Sequence, residues 1–182
     1  MLTKSLVIID NFYNDVDDVR RIALGMEFGV AGNYPGRRTK PFINDNVKSA
    51  FENIIGLKIL DWNSEYNSSF QFTTSRDRSW IHCDEYNNWG GVLYLTPNAP
   101  FSSGTAFYKH NVLGISKFTE ESVLEPTGKD SQDMTKWTEI DRVGNVYNRL
   151  ILFDAKRFHS SVDYFGDSLQ NGRLFQTFFF TA

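Results

Sequence analysis

The stretch Trp80-Ile81-His82-Cys83-Asp84, with Gly91-Val92-Leu93-Tyr94-Leu95 soon after it, decides how the rest of the chain is read. Side chains on a β-strand alternate between two faces, so His82 and Asp84 present an imidazole and a carboxylate on one side while Cys83 turns away. Cys83 is therefore expected to be a buried structural thiol. Working outward, the same period of two governs most of the chain beyond Ile59. Phe70 to Thr74, Trp80 to Asp84, Gly91 to Leu95, Thr105 to Tyr108, Leu150 to Phe153, Phe158 to Val162 and Leu174 to Phe180 all read as short strands bounded by turn residues. Thr96-Pro97-Asn98-Ala99-Pro100 closes one of them, because its prolines cannot continue a hydrogen-bonded ladder.

Before Ile59 the pattern is different. Leu6-Val7-Ile8-Ile9 predicts a strand, and Val16, Val19, Ile22, Ala23 and Met26 recur at helical spacing, which predicts a helix from Val16 to Phe28 with Asn14 or Asp15 as its N-cap. Gly32 to Thr39 contains Pro35-Gly36 and reads as a loop. Val47, Ala50, Phe51, Ile54 and Ile55 predict a second helix from Asn44 or Asp45 to a stop at Gly56. The chain is thus expected to be mainly β with flanking helices around a double-stranded β-helix, a jelly roll of the cupin kind. We expect one domain over residues 1–182, with an N-terminal strand and supporting helices in 1–58 and the jelly-roll core in 59–182. A polar insertion at about 111–146 interrupts the core, and its length predicts a partly helical flap. It either covers a site or is a surface excursion that packs Phe118 and Trp137 onto the barrel. His110, just before it, is expected at the rim.

A hydrophobic share of 41% with sixteen Phe suffices to fill a core at this length. Lys+Arg 19 against Asp+Glu 22 leaves a net charge of -3, too balanced a field to draw the protein onto nucleic acid or an anionic membrane. No basic, aromatic-interleaved segment is visible, so no nucleic-acid partner is expected. No apolar run approaches the roughly 20 residues that span a bilayer, and Met1-Leu2-Thr3-Lys4 leads into the first strand and not into a cleavable signal. The expectation is a soluble, cytoplasmic protein with no membrane partner. Cys83 is the only cysteine, which excludes an internal disulfide and a Cys-rich zinc site.

Of the three histidines, His82 has Asp84 beside it, and His159 follows an apolar run in Phe158-His159-Ser160-Ser161. Two imidazoles and one carboxylate on one side of a metal, with the opposite positions open, suit ferrous iron in non-haem oxygenases. Singly, each has an ordinary explanation as a hydrogen-bonded core histidine, a turn former or a strand-end histidine. Arg173 opens an otherwise apolar strand, where a guanidinium is costly to bury unless it meets an anion such as a carboxylate. Otherwise its head reaches back to solvent. Thr177 shares its face. Asn88 and Trp89 directly follow the metal motif and are expected at the mouth of the site, and Arg37, with Arg38, is a candidate to meet an anionic or carbonyl group of a substrate.

Taken together, Trp80-Ile81-His82-Cys83-Asp84, Leu93-Tyr94-Leu95, Gly104-Thr105-Ala106-Phe107, Leu152-Phe153 ahead of His159, and Gly172-Arg173 with Thr177 resemble the Fe(II)- and 2-oxoglutarate-dependent dioxygenases, in particular their prolyl-hydroxylase-like branch. The resemblance covers most of the chain. It implies a catalytic Fe(II) held by His82, Asp84 and His159, with 2-oxoglutarate as cosubstrate and dioxygen as co-reactant. Arg173 would hold the distal carboxylate of 2-oxoglutarate, with hydroxyl hydrogen bonds from Tyr94 and Thr177. The implied reaction couples oxidative decarboxylation of 2-oxoglutarate to hydroxylation of a C–H bond in a peptide, proline being the first candidate, or in a small molecule. Related halogenases have a small residue where Asp84 stands, so the carboxylate implies hydroxylation. The turn from Tyr164 to Ser168 is longer than in many prolyl hydroxylases. The alternative from another class is a non-catalytic, cupin-like jelly roll that binds a metal or ligand, and a buried Arg173 opposite the triad separates the two.

Overall fold

Apolar alternation punctuated by turn residues folds into nine strands in the computed structural model, which describes residues 4–182. Met1–Thr3, read above as leading into the first strand, lie outside the described residues. In chain order the elements begin with β1 (Leu6–Ile9), α1 (Val16–Leu24), β2 (Arg37–Pro41), α2 (Asp45–Ile55), β3 (Ser69–Thr73) and β4 (Trp89–Tyr94). There follow β5 (Thr105–His110), α3 (Leu124–Lys129), β6 (Trp137–Val143), β7 (Leu150–Asp154), β8 (His159–Ser161) and β9 (Arg173–Phe180).

A large sheet runs in the order β1-β7-β4-β9-β3-β2 and a small one in the order β6-β5-β8, all antiparallel. From β3 onward the chain passes repeatedly between the sheets, and His82 adds an isolated bridge to His159 at the edge of the small one. This interleaving is the double-stranded β-helix expected from the sequence.

Register separates the two faces of the large sheet. Leu93, Phe178, Phe180, Leu174, Phe70 and Leu152 share the outer face and pack with Ala23 of α1 and Val47, Phe51 and Ile55 of α2. Phe51 is fully buried, with the ring centroid of Phe178 at 4.8 Å from its own and those of Trp62 and Phe180 each at 5.6 Å. Val92, Tyr94, Ile151 and Phe153 point inward, where they meet Phe107 of the small sheet. Behind the small sheet, Ile81, Ala106, Tyr108, Trp137 and Phe158 form a third cluster.

The helices follow their sequence signals with one shortening. Asn44 caps α2 by accepting from the Asn46 N–H at 2.9 Å, and Gly56 ends it at φ 76°, a left-handed conformation that glycine adopts without strain. The first helix stops at Leu24 and not at Phe28, because Gly25 turns the chain; Met26 and Phe28 still reach the core, but from irregular backbone. Asp15 stands at its N-cap without a side-chain cap hydrogen bond.

Three segments differ from expectation. Trp80–Asp84 is not a continuous strand, since only His82 is bridged. Arg37–Pro41 is an edge strand and not part of a loop: Pro35-Gly36 makes the turn before it, and a Cβ on Gly36 would lie 2.0 Å from the Phe72 carbonyl oxygen. The insertion does contain helical turns at 121–123, α3 and 134–136, but its last part is β6, paired along the whole of β5. His110 is buried at this junction and not exposed at a rim. Its Nδ1 accepts from the Leu113 N–H at 3.2 Å, so Nε2 carries the proton donated to Asp130 Oδ2 at 3.0 Å.

Candidate metal centre

His82 and His159 meet because their peptide groups exchange both hydrogen bonds of an antiparallel pair. The His82 N–H donates to the His159 carbonyl at 3.0 Å, and the His159 N–H returns one to His82 at 2.8 Å. Residues directly opposite in such a pair send side chains to the same face, and the two rings stand 4.5 Å apart, centroid to centroid. Asp84 follows two residues later, its N–H bonded to the Ala155 carbonyl at 2.9 Å, so the irregular segment is laid along the approach to β8. Cys83 turns away into the cluster behind the small sheet, and burial pushes its thiol up to about 11, which keeps it protonated and inert.

Each imidazole is oriented by the same device. His82 Nδ1 lies 3.1 Å from the Trp80 carbonyl and His159 Nδ1 lies 2.8 Å from the Arg157 carbonyl. A carbonyl can only accept, so each Nδ1 carries the proton and each Nε2 keeps its lone pair for a ligand. The ligand-capable atoms of His82, Asp84 and His159 lie within 4.8 Å of one another, with His159 Nε2 3.6 Å from Asp84 Oδ2. His159 is buried between the rings of Phe153, at 4.7 Å, and Phe107, at 6.2 Å. Burial, with the nearby His82 assisting, pushes its pKa down to about 4, and Asp84 opposes the shift, so the ring is neutral at physiological pH. Asp84 Oδ2 is buried and has no hydrogen-bond partner among the described residues. Gly90 leaves it room, since a Cβ there would lie 3.4 Å from that oxygen and 2.8 Å from the Phe153 ring. Two imidazole nitrogens and a carboxylate oxygen lacking a partner fit a divalent cation.

Across the cavity, β9 places Arg173, Phe175, Thr177 and Phe179 along one face. Arg173 is 1% exposed. Its Nε donates to the Ser103 carbonyl at 3.0 Å and its Nη2 to the Gly104 carbonyl at 3.3 Å, while Nη1 is buried without a partner among the described residues. A buried N–H of a fixed cation with nothing to donate to is a socket for an anion. The residues thus also fit a small dicarboxylate reaching from the metal to Arg173.

The remaining sequence candidates are placed unevenly. Thr177 lines the cavity, but its hydroxyl proton goes to the Ser69 carbonyl at 3.2 Å. Tyr94 is fully buried beneath the lining and its hydroxyl is 2.9 Å from Thr105 Oγ1; Thr105, which sequence reasoning did not single out, is the one that faces the cavity. None of the three substrate candidates stands at the mouth. Asn88 spends its amide on Ala182, donating to its carbonyl at 2.8 Å and accepting from its N–H at 3.0 Å. Trp89 belongs to the outer face, stacked on Phe180 with 5° between ring planes. Arg37 is exposed, because on β2 the alternation sends Arg38 inward instead. Arg38, Gln71, Trp80 and Phe175 also line the cavity; Arg38 was named beside Arg37 in the sequence, and the period-two rule applied to β9 from Arg173 would have found Phe175.

A family model described as "Family of unknown function (DUF6445)" matches residues 2–180. No curated protein matches the chain. Among solved structures, HygX from Streptomyces hygroscopicus with nickel, 2-oxoglutarate and hygromycin B bound aligns at a TM-score of 0.60 and 10% identity, covering 96% of this chain and 82% of that one. A prolyl hydroxylase from Trichoplax adhaerens, in complex with a hypoxia inducible factor oxygen degradation domain peptide fragment, aligns at 0.59 and 15% identity over 98% and 84% of the two chains. A Pseudomonas putida prolyl-4-hydroxylase aligns at 0.56 and 15% identity over 99% and 94%. The resemblance read from the motifs is borne out as a shared fold.

Proposed function

The chain belongs to the DUF6445 family, a family of unknown function, and from its own site we propose that it is an Fe(II)- and 2-oxoglutarate-dependent oxygenase that hydroxylates a C–H bond in a small-molecule or peptide substrate. The observation that carries this reading is the pairing of two orphaned groups across one cavity, Asp84 Oδ2 beside two proton-free imidazole nitrogens and Arg173 Nη1 opposite them. A metal-binding jelly roll without turnover explains the first and has no use for the second. Iron, 2-oxoglutarate and hygromycin B bound in HygX structures, and a peptide on the Trichoplax hydroxylase, support the cofactor set and both substrate classes.

In this reading His82, Asp84 and His159 hold ferrous iron and Arg173 takes the distal carboxylate of 2-oxoglutarate. Bound there, iron and 2-oxoglutarate with dioxygen supply an oxidation in which a substrate C–H becomes C–OH while the cosubstrate leaves as succinate and carbon dioxide. The chain's own part is placement. Phe107 and Phe153 keep water from His159, the Trp80 and Arg157 carbonyls fix both rings, and the Ser103 and Gly104 carbonyls hold the Arg173 fork in the one pose that leaves Nη1 free. The test is anaerobic addition of Fe(II) and 2-oxoglutarate, which is expected to give a weak visible charge-transfer band that disappears in His82→Ala. Folded protein that shows no band refutes the proposal.

A further inference from the structure

Arg38 is a second buried cation in the same cavity, and the metal centre makes no use of it. It is 7% exposed, and its guanidinium carbon lies 3.9 Å over the Tyr34 ring and 5.6 Å from that of Phe179. Nε and Nη2 both donate to Gln71 Oε1, at 3.0 and 2.6 Å. Gln71 Nε2 donates in turn to the Pro35 carbonyl at 2.7 Å, which fixes the amide with its oxygen toward the arginine. Tyr34 is itself tied down through its hydroxyl to the Val30 carbonyl. The guanidinium is therefore held rigidly by neutral groups on one edge, and Nη1 on the other edge makes no hydrogen bond among the described residues.

Charge is what this arrangement lacks. Among the described residues no carboxylate lies within ion-pair distance of Arg38. Burial pushes its pKa down to about 10, so it stays charged at neutral pH, and Asp84 is the acid that favours its charged form. Once a metal takes the Asp84 carboxylate that support is spent elsewhere. Ferrous iron, Asp84, dianionic 2-oxoglutarate and Arg173 together are formally neutral, which leaves Arg38 as the one uncompensated charge among the described residues that line the loaded cavity. It cannot simply duplicate Arg173. Arg38 pairs with Gln71 and Gln71 with Phe175, so Arg38 lies two strands and two residues away from Arg173, about 12 Å between backbone positions at ordinary strand spacing.

We propose that Arg38 anchors the primary substrate, and that this substrate is a small molecule bearing a free carboxylate. The inference rests on the oxygenase reading above and deepens it. The planar fork offers its remaining edge to a planar oxyanion, stacking on Tyr34 orients that plane, and the substrate's far end is left to lie over the metal.

The test uses protein loaded anaerobically with Fe(II) and saturating 2-oxoglutarate, with acetate as the minimal carboxylate and acetamide as its neutral twin. The methyl-proton relaxation of each probe is read, since the paramagnetic iron enhances it only for molecules held in the cavity. Acetate is expected to show enhancement well above acetamide, and this difference is expected to be lost in Arg38→Gln and kept in Arg37→Gln, with the charge-transfer band present throughout. Arg38→Lys, which keeps the charge, retains part of the difference and serves if Arg38→Gln does not fold. Equal relaxation of the two probes overturns the proposal. So does an Arg38→Gln protein that keeps the difference, or one that loses the band, which would make Arg38 the cosubstrate arm. A wild-type protein without the band refutes the oxygenase reading itself.

Discussion

Strand β9 builds two surfaces of opposite character from one run of residues. Outward it shows Leu174, Phe178 and Phe180, and its one outward polar side chain, Gln176, is fully engaged: Nε2 donates to the Ser68 carbonyl at 3.1 Å and Ser68 Oγ at 3.0 Å, and Oε1 accepts from the Tyr13 hydroxyl at 2.8 Å. Inward it shows Arg173, Phe175, Thr177 and Phe179, with Arg173 Nη1 unsatisfied opposite an unsatisfied Asp84. The outer face is built for stability, with Trp62 Nε1 an exception, and the inner face is held in a costly state by it. Stability and binding should therefore be separable by face.

The largest effect should come from the outer face. Phe51→Ala removes a ring packed among Phe12, Trp62, Phe178 and Phe180 and is expected to cost about 3–5 kcal/mol in denaturant unfolding. A loss below about 1 kcal/mol would mean that the helices do not carry the sheet. On the inner face the pattern inverts. Arg173→Met is expected to weaken 2-oxoglutarate binding by roughly 2–5 kcal/mol, measured by titrating the charge-transfer band, while leaving the unfolding midpoint of metal-free protein nearly unchanged, since it removes a buried cation that has no counter-ion. A variant that binds normally but unfolds early would assign Arg173 to the core instead.

Acid should distinguish the faces without any mutation. His159 has its folded pKa depressed to about 4 from 6.5, so the unfolded chain binds the extra proton first. Its contribution to stability is complete above about pH 6.5 and is lost as pH falls through about 4, on the order of 3 kcal/mol for a shift of this size. Metal-free protein is expected to show that slope in unfolding experiments, and His159→Phe to flatten it. The smallest effect is Asn44→Ala, about 1 kcal/mol from the lost cap of α2, with no change in metal or 2-oxoglutarate affinity.

How much of this was legible in the sequence follows from which side chains alternate. The strands carrying the core announce themselves because one face is apolar, and the helix capped by Asn44 and closed by Gly56 carries its own boundaries. β6 hides because Thr138 to Arg142 are all exposed, with only Trp137 and Val143 buried at its ends; an edge strand bare on both faces has no periodicity to read. β2 hides behind Pro35-Gly36, whose turn chemistry masks the short strand that follows. Parity alone placed His82 and Asp84 on one side, although Trp80–Asp84 forms no ladder, because a single reciprocal bridge at His82 sets the same parity; His159 was added from the donor set and the resemblance. Proximity in the chain misled for Asn88 and Trp89, since Asn88 is tied to the Ala182 backbone and β4 turns Trp89 to the far side of the sheet.

That reciprocal bridge also sets a timetable. A growing polypeptide presents His82 and Asp84 early, but the peptide group that aligns His82 belongs to His159, and the arginine that faces them comes later still. No chain shorter than 159 residues can bring the three donors together, so in the proposed reading the oxidising centre cannot assemble until most of the barrel has been made.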